Sequence, residues 1–543
     1  MPEGSSSPRP KRLKSDRDHQ IVKESALIDG DCHESNSKME RVLHRPRFNQ
    51  KSLHIAPMIR VSNREFRQLI RILSKRCVLW TEMVVDETIY FCSRSKSSPT
   101  GAISRENVDK HLDYDQSVEH PIVCQIGGID PLHTAFASKL MAEEYGYDEI
   151  NLNMGCPSDR VRGKQFGAAL MKQVDRACEL VKTLKSSCPN VPISVKLRIG
   201  VDSHEDFEFI RNLTQRLSDA GCKRFYMHAR KVHLKGLNPA QNRIVPPLNY
   251  PIVYRLCAEF PECDFWINGG ISGLAAAKAI VYGATSEEDV GKEKYLEHSV
   301  PCKLCNYPNG SCIAPPSRGN VPSNLQGCML GRAAMDNPAI FWDCDRYFYG
   351  EAENPCNTRR EVLDRYIDYL EKVYPRRCCD DRDDVQTNRI PAPKVIYKKE
   401  HCNICCDWRK SKEHNSPTYK YVITTSFKSP DASSRNDNKE GQNTTLQATK
   451  KMSTRKNKPK ITTHIVRRSL RPVLGLFFGL STSRSFRRKC EELVQDTRIR
   501  NCGPAFVLVS ALSVVPDAVL DADFVRTENL PPSGIVEHIS PQD

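Results

Sequence analysis

Short apolar segments alternate with longer amphipathic segments between residues 53 and 332. Strict alternation of apolar and polar residues over 150–154 predicts a β-strand, and the longer segments have the apolar spacing of helices. The eight predicted strands are 53–58, 77–84, 121–128, 149–157, 193–200, 224–231, 264–270 and 327–332. The six predicted helices between them are 63–75, 131–145, 175–187, 205–220, 251–260 and 274–282. This α/β order predicts a (β/α)8 TIM barrel. An open doubly wound sheet is the alternative, but no strand–GxGxxG–helix motif supports it.

A group of predicted helices follows the barrel. Thr358 and Glu361 have the spacing of a capping box, which predicts the start of a helix. Two more helices are predicted at 465–477 and 485–495. Their basic side chains are Arg467, Arg468, Arg471, Arg484, Arg487, Arg488 and Lys489. A small basic helical domain beside a barrel suggests a surface that binds phosphate groups, and an ordinary solvated helix face is the alternative.

These patterns divide the chain into four parts. The parts are a disordered basic tail (1–48), the barrel (49–350), a basic helical domain (351–500) and a C-terminal tail (501–543). Polar segments at 284–325 and 378–463 are predicted to be insertions, the second of them disordered. Both contain cysteines, but Cys302, Cys305 and Cys312 supply three ligands at most, so no metal site is predicted.

The composition favours an intracellular protein with a polyanionic partner. The chain has 81 Lys and Arg residues against 66 Asp and Glu residues, a formal net charge of +15, and nucleic acid is the commonest polyanion. Its 23 cysteines lack the spacing of a disulfide framework, which fits a reducing compartment. Neither a secretory leader nor a membrane span is predicted. We therefore expect a cytoplasmic monomer without membrane association, with the nucleus and the mitochondrion as open alternatives.

Polar residues and glycines stand at the carboxyl ends of the predicted strands. From the first strand to the last they are Ala56, Pro57, Met58, Gln125, Asn153, Cys156, Lys196, His228, Asn268, Gly269, Gly270, Gly331 and Arg332. Arg198 and Arg230 accompany Lys196 and His228 on their strands. Because the parallel strands of a barrel end on one face, these residues are expected to surround one pocket. Each has an ordinary structural explanation by itself, but solubility does not explain their shared position.

The residue types at these strand ends favour FMN over NAD as the cofactor. Glycines after the last two strands let the backbone approach a phosphate group, and Arg332 supplies positive charge. The amide of Gln125 can donate and accept hydrogen bonds at the edge of a flavin ring. Lys196 suits the side of the ring that is negatively charged in reduced flavin, and His228 suits the phosphate or the ring. The chain lacks the Rossmann turn and the ribose-binding carboxylate that NAD requires.

Cys156 stands in the loop that follows the fourth predicted strand. An unperturbed cysteine has a pKa of about 8.5, so this side chain is expected to be mostly a thiol at neutral pH. A thiol above a flavin can donate a proton opposite a transferred hydride. A buried structural cysteine is the alternative reading of this residue.

The order of these motifs resembles that of the flavin-dependent tRNA-dihydrouridine synthases. The motifs are Ala-Pro-Met at 56–58, Gln-Ile-Gly-Gly at 125–128, Asn-Leu-Asn-Met-Gly-Cys-Pro-Ser at 151–158, Val-Lys-Leu-Arg-Ile-Gly at 195–200, His-Ala-Arg-Lys at 228–231, Asn-Gly-Gly-Ile at 268–271 and Gly-Arg at 331–332. The stretch 228–248 is most similar to the A subfamily. The resemblance covers 52–350 apart from the insertion, and it resumes more weakly at 358–377 and 464–495.

The resemblance implies a barrel that binds FMN, a helical C-terminal domain and NADPH as the reductant. It implies reduction of the 5,6 double bond of D-loop uridines 20 and 20a in tRNA. It assigns Cys156 as the proton donor, and it carries tRNA contacts onto Asn153, Arg243, Arg484 and Arg487. The implied FMN contacts are Ala56, Pro57, Met58, Gln125, Lys196, His228, Asn268, Gly269, Gly270, Gly331 and Arg332. An FMN barrel oxidoreductase for a small molecule and an inactive RNA-binding homologue remain as alternatives.

Overall fold

Parallel strands form the centre of the protein. In the computed structural model the described residues are 51–94, 103–158, 163, 165–283, 316, 319–375 and 461–524. The strands are β1 (Ser52–Ile55), β2 (Leu79–Trp80), β3 (Val84–Val85), β4 (Ile122–Gly127), β5 (Glu149–Met154), β6 (Ile193–Arg198), β7 (Arg224–His228), β8 (Asp264–Asn268) and β9 (Leu325–Leu330). All pairings are parallel, in the order β1-β9-β8-β7-β6-β5-β4-β2, with β3 also paired to β4. Backbone hydrogen bonds join Val78 to Leu53 and Ile55 and connect the two ends of this order. The predicted TIM barrel is therefore confirmed.

The second predicted strand, 77–84, differs from the prediction because it forms two short strands. Between them, Thr81 still donates its backbone N–H to the carbonyl of Val123 at 3.0 Å. Its hydroxyl, however, donates to the carbonyl of Glu82 at 2.7 Å and accepts the backbone N–H of Gln125 at 3.1 Å. A hydroxyl that bonds to nearby backbone competes with regular strand pairing, which accounts for the break.

Helices surround the barrel, and all six predicted helices are present. They are α1 (Arg64–Leu73), α2 (Asp86–Cys92), α3 (Arg105–Leu112), α4 (Pro131–Lys139), α5 (Val174–Ser187), α6 (Phe207–Asp219), α7 (Tyr250–Glu259), α8 (Leu274–Tyr282) and the short α9 (Arg332–Asp336). Short segments of 3₁₀ or π-helix occur at Leu140–Glu144, Gly167–Lys172, Gln241–Arg243, Pro338–Phe341, Cys344–Phe348 and Gly475–Phe477. Asp130 caps α4 because its carboxylate accepts the backbone N–H of Leu132 at 2.8 Å.

A helical domain follows the barrel. Its helices are α10 (Arg359–Val373), α11 (Thr463–Leu474), α12 (Ser483–Gln495), α13 (Thr497–Asn501), α14 (Pro504–Leu512) and α15 (Asp517–Asp521). The predicted capping box stands at the start of α10. The hydroxyl of Thr358 accepts the backbone N–H of Glu361 at 3.2 Å, and the carboxylate of Glu361 accepts that of Asn357 at 2.9 Å. These bonds satisfy backbone donors that a helix start otherwise leaves unpaired.

The helical domain continues past its predicted end at residue 500. All residues of α14 are buried, and α14 packs against α10, α11 and α12. Residues 505–512 are apolar on nearly every side of the helix, which is typical of a central helix and gives no amphipathic signal. The predicted C-terminal tail at 501–543 is therefore wrong for residues 501–524, which belong to the helical domain.

A buried carboxylate joins the helical domain to the first helix of the barrel. Glu65 of α1 is fully buried. It accepts the hydroxyl of Tyr374 at 2.5 Å and the guanidinium of Arg468 at 2.7 Å. Because Arg468 lies on α11 and Tyr374 follows α10, one charged group connects three helices.

Several predicted segments lie outside the described residues. They are the tail at 1–48, nearly all of the insertions at 284–325 and 378–463, and residues 525–543. Within the part of the chain that the structure describes, no helix is long and apolar enough to cross a membrane.

Candidate active site

The carboxyl ends of β5 to β8 place the predicted site residues side by side. In the sheet register Asn153 pairs with Lys196, and His228 pairs with Asn268. The ammonium group of Lys196 donates to the side-chain oxygen of Asn268 at 3.1 Å, so one hydrogen bond spans from β6 to β8. The amide of Asn268 also donates to the carbonyl of Met329 at 2.8 Å and connects this group to β9.

This end of the barrel is strongly cationic. Neighbouring cations lower the pKa values of Lys196, Arg198, His228, Arg230 and Arg243 here, and Arg332 is one of those cations. The hydrogen bonds that they donate within the described residues go to amide and backbone oxygens, not to carboxylates. Positive charge that no carboxylate neutralises favours an anionic ligand.

Burial shifts the pKa values of this cationic group. Burial, with the neighbouring charge of Arg198, lowers the pKa of Lys196 to about 7. Burial also lowers the pKa of Arg198 to about 9 and that of Arg230 to about 10. The pKa of His228 lies well below its ordinary value, first through burial and then through Arg198, so its imidazole is neutral at neutral pH. A bound anion would reverse these shifts because it favours the charged forms.

The thiol of Cys156 lies beside these cations, in the loop after β5. Arg198, Lys196 and Arg243 each lower its pKa, but burial outweighs them and raises the pKa above the ordinary value. Arg198 also donates to the carbonyl of Gly155 at 3.4 Å. Cys156 therefore keeps its proton at neutral pH and lies next to charges that stabilise its thiolate, as a general acid requires.

Asn153 holds the loop that carries Cys156. Its side-chain oxygen accepts the backbone N–H of Gly155 at 3.2 Å and that of Cys156 at 3.1 Å. Its amide nitrogen donates to the side-chain oxygen of Gln125 at 2.7 Å. Gln125 is buried and donates in turn to Asn151 at 2.9 Å. The cofactor contact of Gln125 and the substrate contact of Asn153 stay predictions. The observed hydrogen bonds show that both residues position the loop that carries Cys156.

The glycines after β8 have backbone conformations that only glycine adopts easily. The φ angle is 111° at Gly269 and 72° at Gly270. A Cβ atom on Gly269 would lie 2.7 Å from Cδ2 of His228, and one on Gly270 would lie 2.3 Å from Leu248. The hydroxyl of Tyr250 donates to the carbonyl of Gly269 at 2.6 Å and fixes this turn. Both positions therefore require glycine, and the turn packs directly against His228 and Leu248.

The end of β9 lies beside the end of β1. The backbone N–H of Ala56 donates to the carbonyl of Leu330 at 2.7 Å. A Cβ atom on Gly331 would lie 3.5 Å from Cβ of Ala56 and 3.9 Å from the sulfur of Met58, so a small side chain would fit at this position. The predicted cofactor residues of the first and last strands, with the half-buried Pro57 between Ala56 and Met58, therefore share one part of the rim.

The side chain of Arg230 contains a buried hydrogen-bond donor, its Nε–H group. Its guanidinium donates to the carbonyl of Ile244 at 3.2 Å and to that of Pro246. Its Nε atom is buried and has no hydrogen-bond partner among the residues that the structure describes. A buried N–H without a partner is destabilising, so a ligand oxygen here would be favourable. The donor, the glycine turn and the cations fit a ligand with a phosphate group.

The predicted tRNA contacts fall in two places. Asn153 and Arg243 belong to the pocket, where the guanidinium of Arg332 donates to the carbonyl of Arg243 at 3.3 Å. Arg484 and Arg487 lie on α12 of the helical domain, and both are exposed. The structure thus places one pair beside Cys156 and the other pair on a separate helix.

Two candidates for function, Arg198 and Arg230, are expected near Lys196 and His228 but have no assigned role in the predicted site. Each stands two positions after a predicted residue, Lys196 and His228 respectively. Successive side chains of a strand point to opposite faces, so residues two apart share a face. On β6 this alternation contained the signal for Arg198, whereas Arg230 lies two residues beyond the end of β7.

Together, the fold and the site define a parallel-barrel protein whose strand ends place a cationic group beside a protonated thiol. The family model described as dihydrouridine synthase matches residues 54–288. The tRNA-dihydrouridine(20/20a) synthase of Vibrio cholerae is 35% identical over 321 residues, which are 59% of this chain and 80% of that relative. The protein of the same name from Escherichia coli K12 is 34% identical over 345 residues, 62% of this chain and 83% of that relative. The chain belongs to the dihydrouridine synthase family.

Proposed function

We propose that this protein reduces uridine to dihydrouridine in tRNA, with FMN as its cofactor and NADPH as the reductant. The observation that carries the proposal is the protonated thiol of Cys156 beside the cationic group around Lys196, in a chain of this family. Similar bacterial proteins are named for positions 20 and 20a, and we propose that these D-loop uridines are the targets here.

The pocket residues support FMN in particular. Glycines with positive φ angles and the buried donor of Arg230 suit its phosphate group, together with Arg332. Lys196 and His228 suit the ring and its substituents, and Gln125 suits the ring edge. The residues assigned to FMN are Ala56, Pro57, Met58, Gln125, Lys196, His228, Asn268, Gly269, Gly270, Gly331 and Arg332. When bound, FMN supplies the hydride that one carbon of the uracil 5,6 double bond receives.

Cys156 supplies the proton for the neighbouring carbon. Its raised pKa keeps the proton in place at neutral pH until the substrate is bound. After transfer, the thiolate lies near Lys196, Arg198 and Arg243, each of which favours the charged form. A proton from solvent then restores the thiol. The overall change adds one hydride and one proton across the double bond.

Recognition of tRNA combines the pocket with the helical domain. The target base must leave its stack to reach the pocket, as for other enzymes that act on a base. One N–H of the Asn153 amide can contact the uracil edge, since the other N–H donates to Gln125. Arg243, Arg484 and Arg487 suit phosphate groups, which position an RNA without reading its sequence. All of these residues come from one chain, so we propose that a monomer suffices.

The test combines purified protein, FMN, NADPH and tRNA that lacks modifications. We expect a yellow protein and new dihydrouridine at position 20 or 20a, detected by mass spectrometry of tRNA fragments. A flavoprotein for a small molecule would lack a steep decrease in tRNA binding with salt. An inactive RNA-binding homologue would bind tRNA but remain colourless. Either of these results would overturn the proposal.

A further inference from the structure

A continuous chain of buried hydrogen bonds crosses the inside of the barrel. It begins at Glu149, the first residue of β5, whose carboxylate accepts the guanidinium of Arg224 at 2.8 Å and the hydroxyl of Ser194 at 2.6 Å. The oxygen of Ser194 accepts the amide of Asn151 at 2.8 Å, and the oxygen of Asn151 accepts the amide of Gln125 at 2.9 Å. Glu149, Asn151 and Ser194 have no exposed surface, so water cannot replace a lost partner.

The chain of bonds ends at the loop that carries Cys156. The oxygen of Gln125 accepts the amide of Asn153 at 2.7 Å. The oxygen of Asn153 then accepts the backbone N–H groups of Gly155 and Cys156 at 3.2 and 3.1 Å. Side chains of β4, β5 and β6 thus connect a carboxylate with the backbone beside the thiol.

The two ends of the chain fix its direction. A carboxylate paired with a guanidinium only accepts hydrogen bonds, and a backbone N–H only donates them. Each amide between them has an oxygen on one side and a nitrogen on the other. Only one orientation of Asn151, Gln125 and Asn153 therefore satisfies every bond, and the carboxylate of Glu149 selects it.

We propose that Glu149 is a positioning residue for the reaction. Through Ser194, Asn151 and Gln125, its carboxylate fixes the orientation of the Asn153 amide and thereby the loop that carries Cys156. The catalytic consequence rests on the proposed function, because it needs Cys156 as the proton donor. The geometric claim does not depend on that function.

The substitution Glu149→Gln tests this directionality. Arg224 must face the oxygen of the new amide, so the amide nitrogen faces Ser194 and donates to it. The hydroxyl of Ser194 then donates towards Asn151, which reverses every amide up to Asn153. A reversed Asn153 would point its NH₂ group at two backbone N–H groups and could no longer hold the loop. If the chain does not reverse, the buried hydroxyl of Ser194 loses its acceptor.

A second substitution, Asn153→Asp, should release the Cys156 loop when it is made alone. Combined with Glu149→Gln, it should restore the hydrogen bonds that hold the loop. With Glu149 present, the new carboxylate faces the side-chain oxygen of Gln125, so two acceptors meet. If the chain of hydrogen bonds reverses instead, the single hydroxyl proton of Ser194 faces two acceptors, the carboxylate of Glu149 and the oxygen of Asn151. With Glu149→Gln, the reversed chain ends in a donor from Gln125. One oxygen of the new carboxylate accepts this donor, while its other oxygen accepts the loop N–H groups. Only a directional chain predicts that these two variants compensate for each other.

The measurement is the rate at which iodoacetamide alkylates Cys156 in the FMN-loaded protein, resolved by peptide mass spectrometry. We expect each single variant to raise this rate about tenfold, the effect of one lost buried hydrogen bond, and the double variant to return to within about twofold of wild type. The fully buried Cys222 and Cys328 serve as internal controls for global unfolding and should stay unreactive. Dihydrouridine formation is measured separately, because Asn153→Asp would also alter the proposed substrate contact.

Additive increases in the double variant, or an unchanged rate in Glu149→Gln, would overturn the proposal. If Glu149→Gln does not fold, Ser194→Ala and Ser194→Thr provide a second comparison. Only threonine keeps the hydroxyl, so we expect a raised rate for alanine and a rate close to wild type for threonine; equal rates would overturn the proposal. If wild type forms no dihydrouridine, the proposed function fails, while the alkylation rates still decide the role of Glu149.

Discussion

The backbone N–H of Cys156 donates to the side-chain oxygen of Asn153 at 3.1 Å. Asn153 pairs with Lys196 in the sheet register, so this bond holds the thiol loop beside the cationic end of the barrel. Burial keeps the proton on the thiol, and the nearby cations stabilise the thiolate that remains after transfer. A thiol in this setting can act as a general acid without a separate activating base.

Removal of the thiol should separate cofactor binding from product formation. In Cys156→Ala we expect the flavin spectrum to persist while the rate of dihydrouridine formation falls about 100- to 10,000-fold, the range for loss of a general acid. Steady-state assays with tRNA provide the measurement. Cys92→Ala is the matched control, since Cys92 is also half-buried but lies on α2, and its activity should equal wild type. Full activity of Cys156→Ala would remove this residue from the mechanism.

The lowered pKa of Lys196 predicts that FMN binds more weakly as the pH rises. Burial lowers the pKa of Lys196 to about 7, and a bound anion raises it, so binding takes up a proton. Between pH 7 and 9 the affinity should therefore fall by up to about tenfold per pH unit. The phosphate group of FMN does not interfere, because its second pKa is about 6. Titration of FMN fluorescence provides the measurement.

Lys196→Arg is the control for this pH dependence, because arginine keeps its charge over the whole range. We expect its FMN affinity to vary much less between pH 7 and 9. Equal pH profiles for the wild type and Lys196→Arg would show that FMN binding does not change the protonation of Lys196.

The turn after β8 should not tolerate a side chain. Gly269→Ala places a Cβ atom 2.7 Å from His228 on a backbone with a φ angle of 111°. We expect the protein to fold but to lose FMN, which absorbance after gel filtration would show. Gly350→Ala has a φ angle of 76° but no atom within 4 Å of the new Cβ, so it carries similar backbone strain without the clash. If both variants lose FMN, the clash with His228 is not the cause of the loss.

The arginines of α12 should contribute to tRNA binding and not to flavin chemistry. For Arg484→Glu combined with Arg487→Glu, we expect weaker tRNA binding and a salt dependence whose log–log slope is shallower by about 1.5, since each phosphate contact contributes roughly 0.7 to 0.9. NADPH oxidation by the FMN-loaded protein should persist. Arg176→Glu combined with Arg216→Glu reverses two charges on the outer barrel helices and should leave the slope unchanged.

The buried carboxylate of Glu65 should stabilise the attachment of the helical domain. Glu65→Gln removes the charge that Arg468 and Tyr374 share, and we expect the free energy of unfolding to fall by roughly 2–3 kcal/mol. This is less than for a fully buried pair, because the Arg468 side chain is 39% exposed. Urea denaturation provides the measurement. Glu208→Gln, in an exposed pair with Arg211, should change stability by less than about 0.5 kcal/mol.

The sequence predicted the barrel and the cluster of Lys196 and His228, because strand alternation and strand ends are visible in residue order. It did not predict the burial of α14, whose uniformly apolar residues carry no helical period. The hydrogen-bond chain was also not predictable. Nothing in the order of residues links Asn151 to Ser194. Only the register, which pairs Gln125 with Asn151 and Asn151 with Ser194, shows that these side chains satisfy one another.

The most direct test of the account is a single-turnover reaction between pre-reduced FMN-loaded protein and unmodified tRNA, with each D-loop nucleotide mapped by mass spectrometry. The account predicts one new dihydrouridine at position 20 or 20a with the wild type and none with Cys156→Ala, although both proteins bind FMN. Unchanged tRNA from the wild-type reaction, or equal product from both proteins, would contradict it.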